Sequence, residues 1–191
     1  MANWIQTHAG HAFDPFAPDQ DKICIKDIAH ALSNICRFTG HTNQYYSVAQ
    51  HCVEVATRVP MVYQPWALLH DASEAYLCDI ARPLKQKPEF KFYRDAEDVL
   101  QTAIYKRFGL VEGATPFATD IVKNMDLRVL LLEKRLLLGR CEKEWDDHSL
   151  AHVEPAMHRV SWRPLSALAA EREFLNCYYL MFEGAAEGHL G

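Results

Sequence analysis

Apolar residues recur three and four positions apart along most of the chain, and Pro and Gly punctuate that pattern into separate helices. Residues Asp27 to Phe38 carry Ile28, Ala31, Leu32 and Ile35 on one face, with Asp27 as N-cap and Gly40 placed to end the helix. A second helix starts at Ser47, carries Val48, Cys52, Val55 and Val59, and is stopped by Pro60. A third is predicted over Gln64 to Leu77, with Pro65 in its first turn. Arg82 to Pro88 reads as a loop bounded by prolines. A fourth helix covers Phe90 to Phe108 and is closed by Gly109. Thr115-Pro116 opens a long fifth helix that runs to Leu138. Residues 139–165 read as irregular, and a last helix spans Ser166 to Phe182 before a loose tail to Gly191. The first 26 residues, rich in Asp, Pro and Gly, read as short strands or loops. The expected fold is all-α, a bundle of about six main helices. It is read as one domain with a core over 27–138 and an extension over 139–191.

Composition narrows the function classes. With 191 residues the chain buries roughly 70% of its unfolded surface and needs no disulfide or metal merely to fold. Lys plus Arg is 20 against 25 Asp plus Glu, a net charge of −5, which argues against a grip on duplex nucleic acid. The six cysteines lie at least twelve residues apart, so no zinc-ribbon spacing occurs, and most read as buried thiols in a reducing compartment. Met1 to Phe16 is not a signal peptide, and the longest apolar run, Val129 to Leu132, is too short to span a bilayer. A cytoplasmic protein without a membrane partner is expected.

Polar residues interrupt the apolar stripes in a suggestive way. His51 lies between Val48 and Val55, and Asp126 lies between Val122 and Val129, each on a face that should be buried. His70 and Asp71 directly follow Trp66, Ala67, Leu68 and Leu69. A buried Asp is costly unless paired or bound to a metal. A lone His on such a face is usually a satisfied core residue, but two His and two Asp on three helices that could pack together are a sharper signal of a metal site. The set suits one divalent ion and does not distinguish Co²⁺, Mn²⁺, Zn²⁺, Fe²⁺ or Mg²⁺. Glu74 is four residues after His70 and three after Asp71, so its carboxylate leans over the same place and suits a general base.

The order His51, His70-Asp71, Asp126 resembles the motif of the HD-domain phosphohydrolases. The stretch HDASEAYLCDIARPLK from His70 to Lys85 is similar to the dyad segment of bacterial 5′-deoxynucleotidases. ALSNICRFTGH…YSVAQH resembles a bacterial and bacteriophage branch of the same family, and phage dATP triphosphohydrolases are similar too. The resemblance covers residues 27 to about 135. It implies a metal-dependent phosphohydrolase of 2′-deoxynucleotides that releases the deoxynucleoside plus phosphate or triphosphate. The two-metal branches use extra histidines between the dyad and the last Asp; none lies between Asp71 and Asp126, so one ion is implied.

The resemblance also assigns substrate contacts. Arg37 matches an arginine that binds the phosphate and stabilises transition-state charge. Asp79 matches an aspartate that holds the sugar hydroxyl. Phe38 stands where the resembling enzymes carry a tryptophan that crowds the ribose 2′ position, so strict deoxyribose selection is in question. Lys85, with Arg82 and Lys87, either meets the outer phosphates or forms a solvated basic loop, and His41 is a further candidate phosphate contact. The partner implied is a small deoxynucleotide, and related enzymes are homo-oligomers, dimers or larger. A competing reading is a non-catalytic nucleotide sensor on the same scaffold. A third is a purely structural bundle whose polar residues pair with one another.

Overall fold

The computed structural model describes residues 3–110, 116–145, 150, 152–159 and 161–182. Among them are eight helices and one two-stranded antiparallel hairpin, β1 (Ile5–Gln6) with β2 (Ala12–Phe13), so the fold is mainly helical. The helices are α1 (Ile25–Asn34), α2 (Val48–Ala56), α3 (Gln64–Leu68), α4 (Glu74–Leu77), α5 (Arg82–Lys85), α6 (Lys91–Arg107), α7 (Pro116–Leu137) and α8 (Ala167–Phe182). The expected N-cap Thr115 and the tail 183–191 lie outside the described residues.

Two predicted helices are shorter than their apolar pattern suggests, each because other groups take their backbone hydrogen bonds. α1 begins after Cys24, so Asp27 lies inside its first turn and not at the cap. There it is buried and accepts the Ala9 N–H at 2.6 Å, tying the N-terminal hairpin to the bundle. α1 ends at Asn34 because Ile35 O accepts from Val48 N at 3.1 Å and Arg37 N donates to Tyr46 O at 3.0 Å. This antiparallel clasp leaves Arg37 and Phe38 in a tight turn outside the helix, ending at Gly40 with φ 79°.

The helix predicted from Gln64 to Leu77 breaks between α3 and α4, and His70 and Asp71 lie in the break. The Gln101 side chain, reaching from α6, donates to Leu69 O at 2.7 Å and accepts from Ser73 N at 3.1 Å. One amide thus satisfies both backbone groups that a continuous helix would have paired internally. The segment after it holds a second short helix, α5, where a loop was expected. α2 starts where expected, with Ser47 Oγ capping it by accepting Gln50 N–H at 3.2 Å, but it ends at Ala56, so Val59 lies beyond it.

α8, expected in an extension, packs against α1, α2 and α3, with Ala170 and Phe174 fully buried. It joins Leu32, Leu68, Leu100, Ile104 and Leu132 in one apolar core. Burying such side chains stabilises the fold by roughly 1.5–3 kcal/mol each. The cysteines are all free thiols, yet only Cys52 is fully buried, while Cys78 and Cys141 are exposed. Among the described residues no helix is long and apolar enough to cross a membrane.

Candidate metal centre

Three elements deliver the ligands. His51 comes from the middle of α2, His70 and Asp71 from the turn between α3 and α4, and Asp126 from α7. Ligand atoms of His51, His70 and Asp126 lie within 4.8 Å of one another. Asp71 Oδ2 is 3.3 Å from His70 Nε2 and 3.7 Å from His51 Nε2. His51 Nε2 lies 3.0 Å from Asp126 Oδ1. Cys52 joins a second, overlapping group with His70 and Asp71.

The two imidazoles are oriented by their other nitrogens. His70 Nδ1 donates to Ala67 O at 2.7 Å, and His51 Nδ1 donates to Glu133 Oε1 at 2.7 Å. Both therefore turn Nε2 inward, and both Nε2 atoms are buried without a hydrogen-bond partner. Orphaned imidazole nitrogens with the opposite nitrogen anchored to a carbonyl or carboxylate suit a metal ion. The residues present fit a divalent cation of the Zn²⁺, Mn²⁺, Co²⁺ or Fe²⁺ kind, with oxygen ligands supplied by Asp71 and Asp126.

Glu133 is the residue that sequence reasoning missed. It sits on α7, seven residues after Asp126, so the two share a helix face. It is fully buried, and besides His51 it accepts from Tyr46 OH at 2.9 Å and Arg37 Nε at 3.1 Å. Burial would push its carboxyl up, but Arg37 and then His51 overcome that and hold it below the ordinary value. Its Asp126 + 7 spacing inside the apolar run VLLLEKRLL was the available signal.

Asp71 and Asp126 open from this cluster onto a cavity of about 1010 Å³, while His51, His70 and Glu133 lie behind its lining. Arg37, Phe38, His41, Asp71, Glu74, Asp79, Lys85 and Asp126 all line it, so the structure brings the named substrate contacts to one place. Arg82 lines it as well, whereas Lys87 does not. Four of the lining residues are acidic, Asp71, Glu74, Asp79 and Asp126, against the cations Arg37, Arg82 and Lys85. This surplus of one acidic group over the cations suits a bound cation.

The wall residues are electrostatically primed. Arg37, tied by Nε to Glu133, places Nη1 3.7 Å from Asp71 Oδ2 at the cavity edge. Burial opposes its charge, but Glu133, Asp126 and Asp71 outweigh burial and keep the guanidinium firmly protonated. Glu74 is buried with Oε2 unpartnered, and burial, reinforced by Asp71 and Asp79, raises its carboxyl well above the ordinary range. Burial likewise raises Asp79. Lys85 Nζ is 2.6 Å from Glu97 Oε1 and 3.8 Å from Glu74 Oε1, so it is an ion-paired wall group and not a solvated loop residue.

No family model matches the chain. It is 41% identical over 134 residues to the uncharacterized protein YfdR of Escherichia coli (strain K12), a match covering 70% of this chain and 71% of that protein. It is 34% identical over 152 residues to an uncharacterized protein of Rhodobacter capsulatus, covering 75% of this chain and 77% of that one. A helical fold with a His/Asp cluster and these two alignments place the chain in one family with the YfdR-like proteins.

Proposed function

We propose that the protein is a metal-dependent phosphohydrolase of the HD-domain type that acts on 2′-deoxynucleotides. The observation that carries this reading is the pair of buried, unpartnered Nε2 atoms of His51 and His70 beside Asp71 and Asp126, two carboxylates that line a cavity together with Arg37 and Glu74. When bound there, a divalent ion supplies Lewis acidity toward water and a phosphoryl oxygen.

The chain's own residues do the rest. Arg37 is held by Glu133 through Nε, which leaves its terminal nitrogens to bind phosphate oxygens and the charge that grows on them. Glu74 takes the proton of the attacking water through its free Oε2, and its raised carboxyl holds that proton more readily than an ordinary carboxylate would. Asp79 orients a sugar hydroxyl. Water adds to the α-phosphorus, the bond to O5′ breaks, and the departing oxygen takes up a proton.

The commitment of Lys85 to Glu97 and Glu74 supports a monophosphate over a triphosphate, because this cation is already paired. The test is a panel of deoxynucleoside and ribonucleoside mono- and triphosphates with several divalent ions, with products identified. Release of deoxynucleoside and inorganic phosphate is expected. Stoichiometric metal binding without turnover of any phosphate would overturn the reading in favour of a nucleotide sensor.

A further inference from the structure

We propose that Phe38 and Trp145 form a slot that grips the substrate's base between two aromatic faces and favours purines over pyrimidines by ring area. This rests on the nucleotide reading above. The two ring centroids are 6.4 Å apart and the planes are tilted by 43°. An inserted flat ring needs about 3.5 Å on each face, about 7 Å in all, so a small rotation of the two side chains admits a base.

Both rings are held in place from outside the slot. Phe38 has φ 54° and ψ 30°, followed by Thr39 at φ 53° and Gly40 at φ 79°. An aromatic and a β-branched residue in succession in the left-handed region is a costly backbone, and such strain gathers where a side chain must be aimed. Here it aims Phe38 into the cavity beside the phosphate-binding Arg37, whose guanidinium carbon lies 5.5 Å from the Phe38 centroid. Trp145 lines the cavity too, and Lys134, which does not, places Nζ 4.6 Å from the indole centroid.

The cavity's chemistry changes along α7. Asp126 belongs to the polar floor, and Leu130 and Leu138 carry the lining onward from it, helped by Leu150. The lining thus joins charged groups to leucines, and each ring of the slot has a cation beside it, Arg37 at Phe38 and Lys134 at Trp145. Thr39 and His41 stand at the rim, both exposed. Stacking area on the two rings, rather than hydrogen bonds to the base edge, then sets the preference. Adenine and guanine should therefore bind alike.

Tryptophan fluorescence tests this in the full-length protein. The chain has four tryptophans, so Trp145→Phe identifies the signal that belongs to the slot while keeping a ring. Titration with dAMP, dGMP, dCMP and deoxyribose 5-phosphate, with Mg²⁺ present and Glu74 replaced by Gln to prevent turnover, should show quenching of the Trp145 signal by the purines. Trp145→Ala should weaken purine binding roughly tenfold or more, the scale of one lost base–aromatic stack, and bring purines and pyrimidines to similar affinity. Trp145→Phe should keep most of the preference. If dAMP quenches Trp145 no better than deoxyribose 5-phosphate, or if the Ala and Phe variants show the same preference, the slot is wrong. Deoxynucleotide hydrolysis by the unaltered protein is read separately, so the enzymatic reading survives or fails independently of the slot.

Discussion

Glu133 Oε1 lies 2.7 Å from His51 Nδ1, and solvent reaches neither residue. One carboxylate therefore sets the tautomer of a candidate ligand while its other oxygen holds Arg37. Glu133→Gln keeps the shape and removes the charge, and is expected to weaken metal affinity about 10–100-fold, the usual effect of losing such an outer partner. Glu133→Ala strands the Arg37 charge and the Tyr46 hydroxyl in the interior and should cost about 3–5 kcal/mol of stability. Metal titration reads the first and urea unfolding the second. Unchanged metal affinity in Glu133→Gln would mean that Glu133 serves packing only.

Asp126 and Glu74 line the same cavity but should fail differently. Asp126→Ala is expected to lose both stoichiometric metal and turnover. Glu74→Ala should keep the metal and lose roughly 10²-fold or more in rate, the scale of a missing general base. Metal content and initial rates on the same preparations separate the two. A normal rate in Glu74→Ala would move proton transfer to another group.

Much of this site was legible before the fold was known, and the reason is physical. His51 and Asp126 interrupt long apolar stripes, so helical spacing alone anticipated the complete burial of His51, whereas Asp126 keeps 30% of its side chain exposed at the cavity. The geometry around His70-Asp71 was not legible, because the helix carrying the dyad is broken by Gln101, whose side chain arrives from α6, about thirty residues later in the chain. Local pattern holds no record of such a long-range partner. Phe38 fell outside its predicted helix for the same reason: the backbone of Ile35 to Arg37 pairs with Tyr46 to Val48. Glu133 went unread because its partners Arg37, Tyr46 and His51 lie more than eighty residues away in the chain, and Trp145 because nothing in its immediate neighbours marks it as facing a cavity.

The metal-free protein should lose stability as pH rises. Burial, then Asp71 and Asp79, raise the Glu74 carboxyl, so its contribution falls as pH climbs above the ordinary carboxylate value of about 4.3. Burial opposes protonation of His70 and His51, but Asp71 raises His70, and Glu133 with Asp126 raises His51 despite Arg37. Both contributions are complete below the ordinary histidine value of about 6.5 and are lost as pH passes the raised values. Asp71, Asp126 and Glu133 are lowered, so their contribution fails only in acid, below about pH 4. Melting in a chelator should therefore peak between about pH 4 and 6.5. A divalent ion displaces the histidine protons, so its stabilising effect should be larger at pH 8 than at pH 6. A metal-induced shift independent of pH would show that no ligand proton is released.

Thr39 offers a direct measure of what the Phe38 turn costs. Its φ of 53° is in the left-handed region, where an L-residue pays roughly 1–2 kcal/mol and a β-branched one is an outlier. Glycine adopts that conformation freely but gives up about 0.5–1 kcal/mol through its looser unfolded chain. Thr39→Gly should accordingly stabilise the protein by about 0.5 kcal/mol, whereas Thr39→Ala, which keeps the Cβ, should gain little. Urea midpoints of the two variants isolate the backbone effect from the lost side chain, since Thr39 is exposed and neither variant empties the core. If Ala and Gly shift the midpoint equally, the left-handed turn is not strained and Phe38 is aimed by packing alone. If only Gly stabilises, the turn stores energy that evolution could have released with one glycine, and the retained strain points to the placement of Phe38 as the feature under selection.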